Sequence, residues 1–342
     1  MPYGNGPDVL RQDVPMIKKL IAGLLLSTIL VYLSIRGIDF GKVIEGFHAV
    51  RYGYVLLFIL LVLTQQTLRS VRWGMMLSPL EKVDQISLFS VTSVGFLAII
   101  AIPARLGELA RPYLITKKSR IRMTAALGTI LVERAFDSIT VLFIFGAVLF
   151  FIPVLPPWLM NSALIVLLIT LTLFMLMTFM LAKREASLKV FSQLINRVPE
   201  RFAGKLNSTV HHLIDGFNIF RDVKLLVKVT LFSFLIWMIG VLAIYSLFVA
   251  FAFQLPLTAA TVLQIILLIG IAIPAAPGFI GNWHYACILG LTLFGIPKAD
   301  ALTFAILYHF LSIAIVIVLG LIFLPFNKFS LSAMKKEALT NP

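Results

Sequence analysis

Ile100-Ala-Ile-Pro-Ala104, with Gly107 just after it, recurs unchanged as Ile271-Ala-Ile-Pro-Ala275, again followed by a glycine, Gly278, at the same distance. The offset is 171 residues, half of the 342-residue chain. Each copy closes an apolar run. Proline lacks the amide that a helix interior needs, and glycine tolerates the turn that follows. Further along, Ala126-Leu127 and Ala301-Leu302 correspond less strictly. A matched break at half-length points to two related halves, each interrupted at one place.

The runs around these breaks set the class. They cover 17–35, 53–77, 86–103, 125–152, 158–182, 225–253, 258–276, 279–296 and 299–325. Most approach the ~20 apolar residues that span a ~30 Å hydrocarbon layer. They do not alternate as the strands of a membrane barrel do. The chain is 60% hydrophobic and only 13% charged, against about 25% charged in a soluble domain. The sequence predicts an all-α polytopic membrane protein and excludes a water-soluble enzyme. Lys18 and Lys19 precede the first run, which reaches Tyr32 without a small-x-small cleavage site. A retained span is therefore expected there, not a signal peptide. The lone Cys287 excludes an internal disulfide and a cysteine metal cage.

Lysine and arginine orient the chain. The net charge is +14, with no separate basic domain, so it reads as loop charge facing anionic headgroups and not as a nucleic-acid surface. Place the N-terminus, 69–85, 104–124, 183–228 and 328–342 on one side. That side then holds 24 of the 29 Lys and Arg, and the other holds only Arg36, Lys42, Arg51 and Lys298. This positive-inside pattern predicts cytoplasmic termini in a bacterial-type inner membrane. It also makes 86–124 and 258–297 each enter and leave from one side, as re-entrant segments. Each half then holds three full spans and one re-entrant segment, and an odd number of crossings gives an inverted-topology repeat.

The expected layout is a cytoplasmic segment 1–16, a first repeat 17–152, a second repeat 153–325 and a basic tail 326–342. Within the second repeat, 183–224 reads as interfacial helices. Phe191, Leu194, Ile195 and Val198 recur at helical spacing, as do Phe202, Leu206, Leu213, Phe217 and Phe220 after Pro199. Arg197, Arg201, Lys205 and Arg221 supply the other face, which suits an anionic leaflet. Ordinary amphipathic packing is the alternative.

Non-helical backbone at membrane depth is tolerated only where protein buries it or a watery cavity solvates it. Pro103, Gly107, Pro274, Pro277, Gly278 and Gly281 are therefore expected hinges around a central site. Arg105, Glu108 and Arg111 are spaced by three and share one side of a short helix. Arginine's planar fork suits phosphate. Glu133-Arg134-Ala-Phe-Asp137 lies eight to twelve residues into the run 125–152. A charge at the bilayer centre costs about 2.5–3.5 kcal/mol on insertion scales, so all three are expected to face the bundle interior. Arg134 can pair with Asp137, and Arg111 or Arg105 is the obvious external partner. His284, Tyr308 and His309 add polar groups to the corresponding layer of the second half. A structural ion network and packed histidines are the alternatives. No Walker A, HExxH, paired-Cys or Gly-x-Ser-x-Gly pattern is present, so no metal, cofactor or ATP hydrolysis is expected.

Three stretches together resemble the flippase-like transmembrane family, also described as the transmembrane region of lysylphosphatidylglycerol synthases. They are Pro103-Ala-Arg-Leu-Gly107-Glu108-Leu-Ala-Arg111-Pro112, Val132-Glu133-Arg134-Ala-Phe-Asp137 and Ala276-Pro-Gly-Phe-Ile-Gly281. The resemblance covers roughly 17–325. It implies handling of lipid headgroups, such as aminoacylated phosphatidylglycerol, hopanoid-related lipids or polyprenyl-linked sugars. The synthases resembled carry a large soluble catalytic domain after the membrane region. This chain ends seventeen residues past its last run, so synthase activity is not expected. His284 also stands where family members often have a glutamate. The resulting expectation is a non-enzymatic lipid translocator whose Arg105, Arg111 and Arg134 hold an anionic phosphate. Its rival is a lipid-presenting partner of a separate glycosyltransferase or lipid synthase.

Overall fold

Among the described residues, thirteen α-helices and four short 3-10 turns account for the regular structure, and there is no strand. The computed structural model describes residues 8–102, 107–151, 156–195, 200–273, 276–327, 329–330 and 334. Pro103, Arg105 and Pro274 lie outside them, as do residues 1–7 of the segment 1–16 and most of the tail 326–342. In chain order the helices are α1 (Asp8–Ile35), α2 (Phe40–His48), α3 (Tyr52–Leu77), α4 (Gln85–Ala101), α5 (Ala110–Thr116), α6 (Met123–Leu149) and α7 (Pro157–Ala182). Then follow α8 (Arg184–Ile195), α9 (Glu200–Asp215), α10 (Val223–Ala250), α11 (Leu257–Ala272), α12 (Asn282–Thr292) and α13 (Lys298–Phe323).

Among the described residues, four helices are long and apolar enough to cross a membrane: α3, α7, α10, and α13 with its extension to Asn327. Their outer surface is hydrocarbon; α7 alone exposes Leu164, Ile165, Leu168, Ile169 and Met175. Only lipid solvates such a face without cost. At 27 residues α6 is equally long, and Glu133, Arg134 and Asp137 set its composition apart. The expected first span departs further from the reading. Gly23–Ile35 of α1 bends by 81° into α2, so 36–52 is not a plain external loop. Asp39 caps α2, accepting from the Gly41 amide at 2.9 Å, and Val43 is buried. Lys298 at the head of α13 donates to the carbonyls of Leu33 and Arg36, both at 2.8 Å, satisfying groups that a helix end leaves open.

The element bounds repeat at the offset read from the pentapeptides. Shifting α3, α4, α5 and α6 by 171 residues lands within five residues of the starts of α10, α11, α12 and α13. The two quartets interlock: α3 packs against α10 at the centre, α4 lies on α13, and α11 lies on α6. Gln65 of α3 donates to the carbonyl of Ile236 on α10 at 2.9 Å.

Each quartet is broken at its Pro/Gly cluster. At ~1.5 Å per residue the 11-residue α12 is about 16 Å long, half of a ~30 Å hydrocarbon layer. The run 279–296 is therefore not a single spanning helix. Gly107 lies against the last turn of α4, where an added Cβ would meet the Ala98 carbonyl oxygen at 2.1 Å. Gly281, at φ +89°, adopts a conformation that side chains rarely tolerate. Beside it Asn282 donates to the carbonyls of Gly270 and Ile273 at 3.1 and 3.2 Å, capping α11. On the opposite approach, Asp84 caps α4 through the Ser87 amide at 2.8 Å, a bond that holds its carboxyl below the usual range.

The stretch 183–224 folds as α8, α9 and the turn Asn218–Arg221. Phe191, Leu213, Phe217 and Phe220 pack on the bundle, while Val198 and the side chains of Leu194, Ile195, Phe202 and Leu206 lie outside the described residues. Ile214 and Phe217 are buried, and Phe220 stacks on Phe136 of α6 at 6.3 Å. The contact is close because two glycines meet: a Cβ on Gly216 would sit 2.4 Å from the Ala125 carbonyl oxygen and 2.7 Å from Gly128 Cα. Arg184 pairs with Asp215 at 2.8 Å, and Arg122 meets His212 in a hydrogen bond. Gly216→Leu should force α9 off α6 and cost about 1–3 kcal/mol of stability, read as a lower thermal midpoint in detergent. Gly146→Leu, with nothing within 4 Å of its Cβ, should leave the midpoint unchanged or raise it.

Candidate functional site

Glu133 and Asp137 are four residues apart and share one face of α6, which turns inward; both are buried. From α5, Arg111 reaches Glu133 through two bonds, 3.2 Å to Oε1 and 2.9 Å to Oε2. From α3, Arg72 reaches Asp137 through two more, 2.5 Å to Oδ1 and 3.2 Å to Oδ2. Arg72 also lies 3.4 Å from Glu133, so the four charges form one connected quartet. The polar shell comes from α10: Ser233 accepts from Arg72 at 2.7 Å and Trp237 Nε1 donates to Asp137 at 2.9 Å. Two cations and two anions, paired fork to fork, are what makes burial tolerable; removing one partner of a buried pair costs about 3–5 kcal/mol.

Arg111 gets there by crossing α4 at Gly95, where a Cβ would stand 2.2 Å from the Arg111 Cγ. Its guanidinium then lies over the Trp73 ring at 4.3 Å. Trp73 is fixed in turn by a bond from its Nε1 to the Thr129 hydroxyl at 3.2 Å. Arg111, expected to face a phosphate, is buried in this structure and bonded to Glu133. Glu108 is half-buried in the turn that leads into α5.

Arg134 corrects the reading too. It is exposed, and among the described residues it makes no ion pair, with Asp137 or any other. One residue past Glu133 is a rotation of ~100° around the helix, which carries it off the inward face. Sequence reasoning missed Arg72 altogether, because 69–85 was counted as a cytoplasmic basic stretch. The available signal was that Arg72 falls inside the run 53–77. Arg69, one turn earlier, is half-buried and lies over the Phe96 ring at 5.5 Å.

The second half brings His284, Tyr308 and His309 together as expected. Tyr308 stands edge-on to Phe58 at 5.6 Å and to Trp283 at 5.0 Å. His284 and His309 meet edge to face at 4.6 Å. The His309 Nε2 donates to the Gly278 carbonyl at 2.8 Å, strapping the turn opened by Pro277. His284 Nδ1 and Trp283 Nε1 are buried without a partner among the described residues. The offset of 171 puts Tyr308 where the first half has Asp137, and Asn282 where it has Arg111. One half is locked by charge and the other by rings and hydrogen bonds.

Long apolar helices around a buried ion quartet define a multi-pass membrane-embedded protein. The family described as the lysylphosphatidylglycerol synthase TM region matches residues 20–320, and the chain belongs to that family. Relatives are UPF0104 membrane proteins of archaea. One from Methanothermobacter thermautotrophicus is 24% identical over 303 residues, covering 84% of this chain and 89% of its own. A second from the same organism is 23% identical over 309 residues, covering 87% and 90%. One from Methanocaldococcus jannaschii is 28% identical over 225 residues, covering 65% and 90%. No solved structure matches at a significant level.

The quartet generates a double-mutant test. Arg72→Met and Asp137→Leu should each lower the thermal midpoint strongly, by about 3–5 kcal/mol of stability, since each strands a buried charge. The double variant should lose less than the sum of the two. Strict additivity in detergent would show that the pair is not coupled.

Proposed function

We propose that this protein moves lipid between membrane leaflets and is not itself an enzyme. Its substrate class is an anionic or aminoacylated phospholipid, or a polyprenyl-phosphate-linked lipid. The observation that carries the reading is the pair of helix quartets at an offset of 171 residues, each broken at a Pro/Gly cluster within a bundle whose exterior is hydrocarbon. Two inverted repeats with re-entrant segments would offer alternating access, or a groove through which a headgroup crosses while its acyl chains stay in lipid. The short α11 and α12 support the re-entrant part of this reading, as does α4, at the lower length limit for a span. The charge asymmetry of the loops supports cytoplasmic termini.

Within this reading the buried quartet is scaffold, and Arg134, exposed on α6 without an ion pair among the described residues, is one cation left to meet an anionic headgroup. The test is leaflet exchange of labelled phosphatidylglycerol and of a short polyprenyl phosphate in liposomes holding the purified chain. Exchange is expected for wild type, and Arg134→Ala should abolish it while expression and thermal midpoint stay intact. No exchange of either lipid by well-folded wild type would overturn the translocator reading in favour of a lipid-presenting partner.

A further inference from the structure

The charges around the quartet do not balance. Glu133 and Asp137 are matched by Arg111 and Arg72, and their oxygens are taken. Asp137 accepts from both terminal nitrogens of Arg72 and from Trp237. Glu133 accepts from both terminal nitrogens of Arg111, with Arg72 beside it. Two further guanidiniums flank these pairs along the chain, Arg69 one turn before Arg72 on α3 and Arg134 next to Glu133 on α6, and among the described residues neither has an ion-pair or hydrogen-bond partner. An excess of two positive charges is left beside a saturated acidic pair.

Arg69 is not an ordinary loop cation. It lies eight residues before the end of α3, about 12 Å at ~1.5 Å per residue. Its neighbours Gln66, Ser70, Arg72 and Trp73 are all buried. The guanidinium rests on the Phe96 ring at 5.5 Å, and Arg111 approaches the same ring from elsewhere at 5.8 Å. Phe96 belongs to α4, five residues before its last residue Ala101, so Arg69 is held against the C-terminal part of α4 with its five donors unspent. A planar fork fixed on an aromatic face is suited to a phosphate diester, which takes two parallel N–H bonds.

We infer that Arg69 receives the phosphate of the lipid, with Arg134 supplying the second positive charge of the same subsite. This deepens the translocator reading and rests on it for the lipid's passage, but the binding step stands by itself. The ligand chemistry is a lipid phosphate: a diester brings one negative charge and a monoester up to two, which offsets part or all of the excess that the protein leaves open. Arg72 and Arg111 take the carboxylates' hydrogen bonds, which leaves the donors of Arg69 without a carboxylate bond.

The experiment measures binding of labelled phosphatidylglycerol to the full chain in detergent, with a neutral diacylglycerol of the same chains and inorganic phosphate as the other arms. Arg69→Gln should weaken phosphatidylglycerol binding by about tenfold or more, the usual worth of a charged hydrogen-bonding group, and leave diacylglycerol binding unchanged. Arg69→Lys, which keeps the charge and loses the fork, should fall between wild type and Gln; it carries the test if the Gln variant does not purify. Unchanged phosphatidylglycerol affinity, or equal losses for both lipids, overturns the assignment of Arg69. Inorganic phosphate that binds as tightly as the lipid overturns the lipid source. Leaflet exchange run in parallel separates the two proposals. Wild type that binds but does not exchange lipid sinks translocation alone, and exchange unaffected by Arg69→Gln at unchanged affinity sinks the subsite alone.

Discussion

Four charges buried at membrane depth hold the first half of this protein in place. The Arg72–Asp137 and Arg111–Glu133 pairs join α3, α5 and α6, and Ser233 and Trp237 extend the network to α10. Much of the surrounding geometry answers to these bonds. At seven residues α5 is far too short to persist alone; Arg111 pins it. Gly95 exists as a gap in α4 through which that side chain passes, and Trp73 provides the face on which it lies. The position of the first break follows, since the chain must leave α4 and return at a height where Arg111 meets Glu133.

The second half solves the same problem of holding a broken helix without charge. Asn282 caps α11 directly, and His309 straps the Gly278 carbonyl while Phe58, Trp283, Tyr308 and His284 close around it. One architecture thus carries two chemistries. The uncompensated cations, Arg69 and Arg134, belong to the ionic half, which makes that half the one fitted to bind an anion.

Local signals were legible in the sequence, and directional ones were not. The two breaks could be read because proline and glycine act on their own backbone. Glu133 and Asp137 could be read because a carboxylate inside an apolar run stands out, and their spacing of four puts them on one face. Arg134 was placed wrongly for the same geometric reason: adjacency to Glu133 in sequence is a large rotation in space. Arg72 was hidden by the positive-inside count, since a cation near the end of a span looks alike whether it turns to headgroups or to a buried acid. Phe217 and Phe220 exposed a related blindness. Apolar side chains are at home against lipid and against protein alike, so the spacing that predicted a leaflet-facing surface described equally well a face packed on α6. The helix α2, nine residues long, was too short to register between two longer runs.

The separation in sequence of the quartet's members has a consequence for how the protein is made. Arg72 leaves the ribosome 65 residues before Asp137 and 161 residues before Ser233. When α3 first enters the bilayer, its two arginines have no acid to meet, and their long side chains must reach back to the headgroups near its C-terminal end. Insertion of α6, with a carboxylate at each of two turns, then draws Arg72 inward, and α10 closes over it. The first half therefore reaches its final register only after synthesis of the second has begun. The order of helices along the chain is, in effect, an order of assembly.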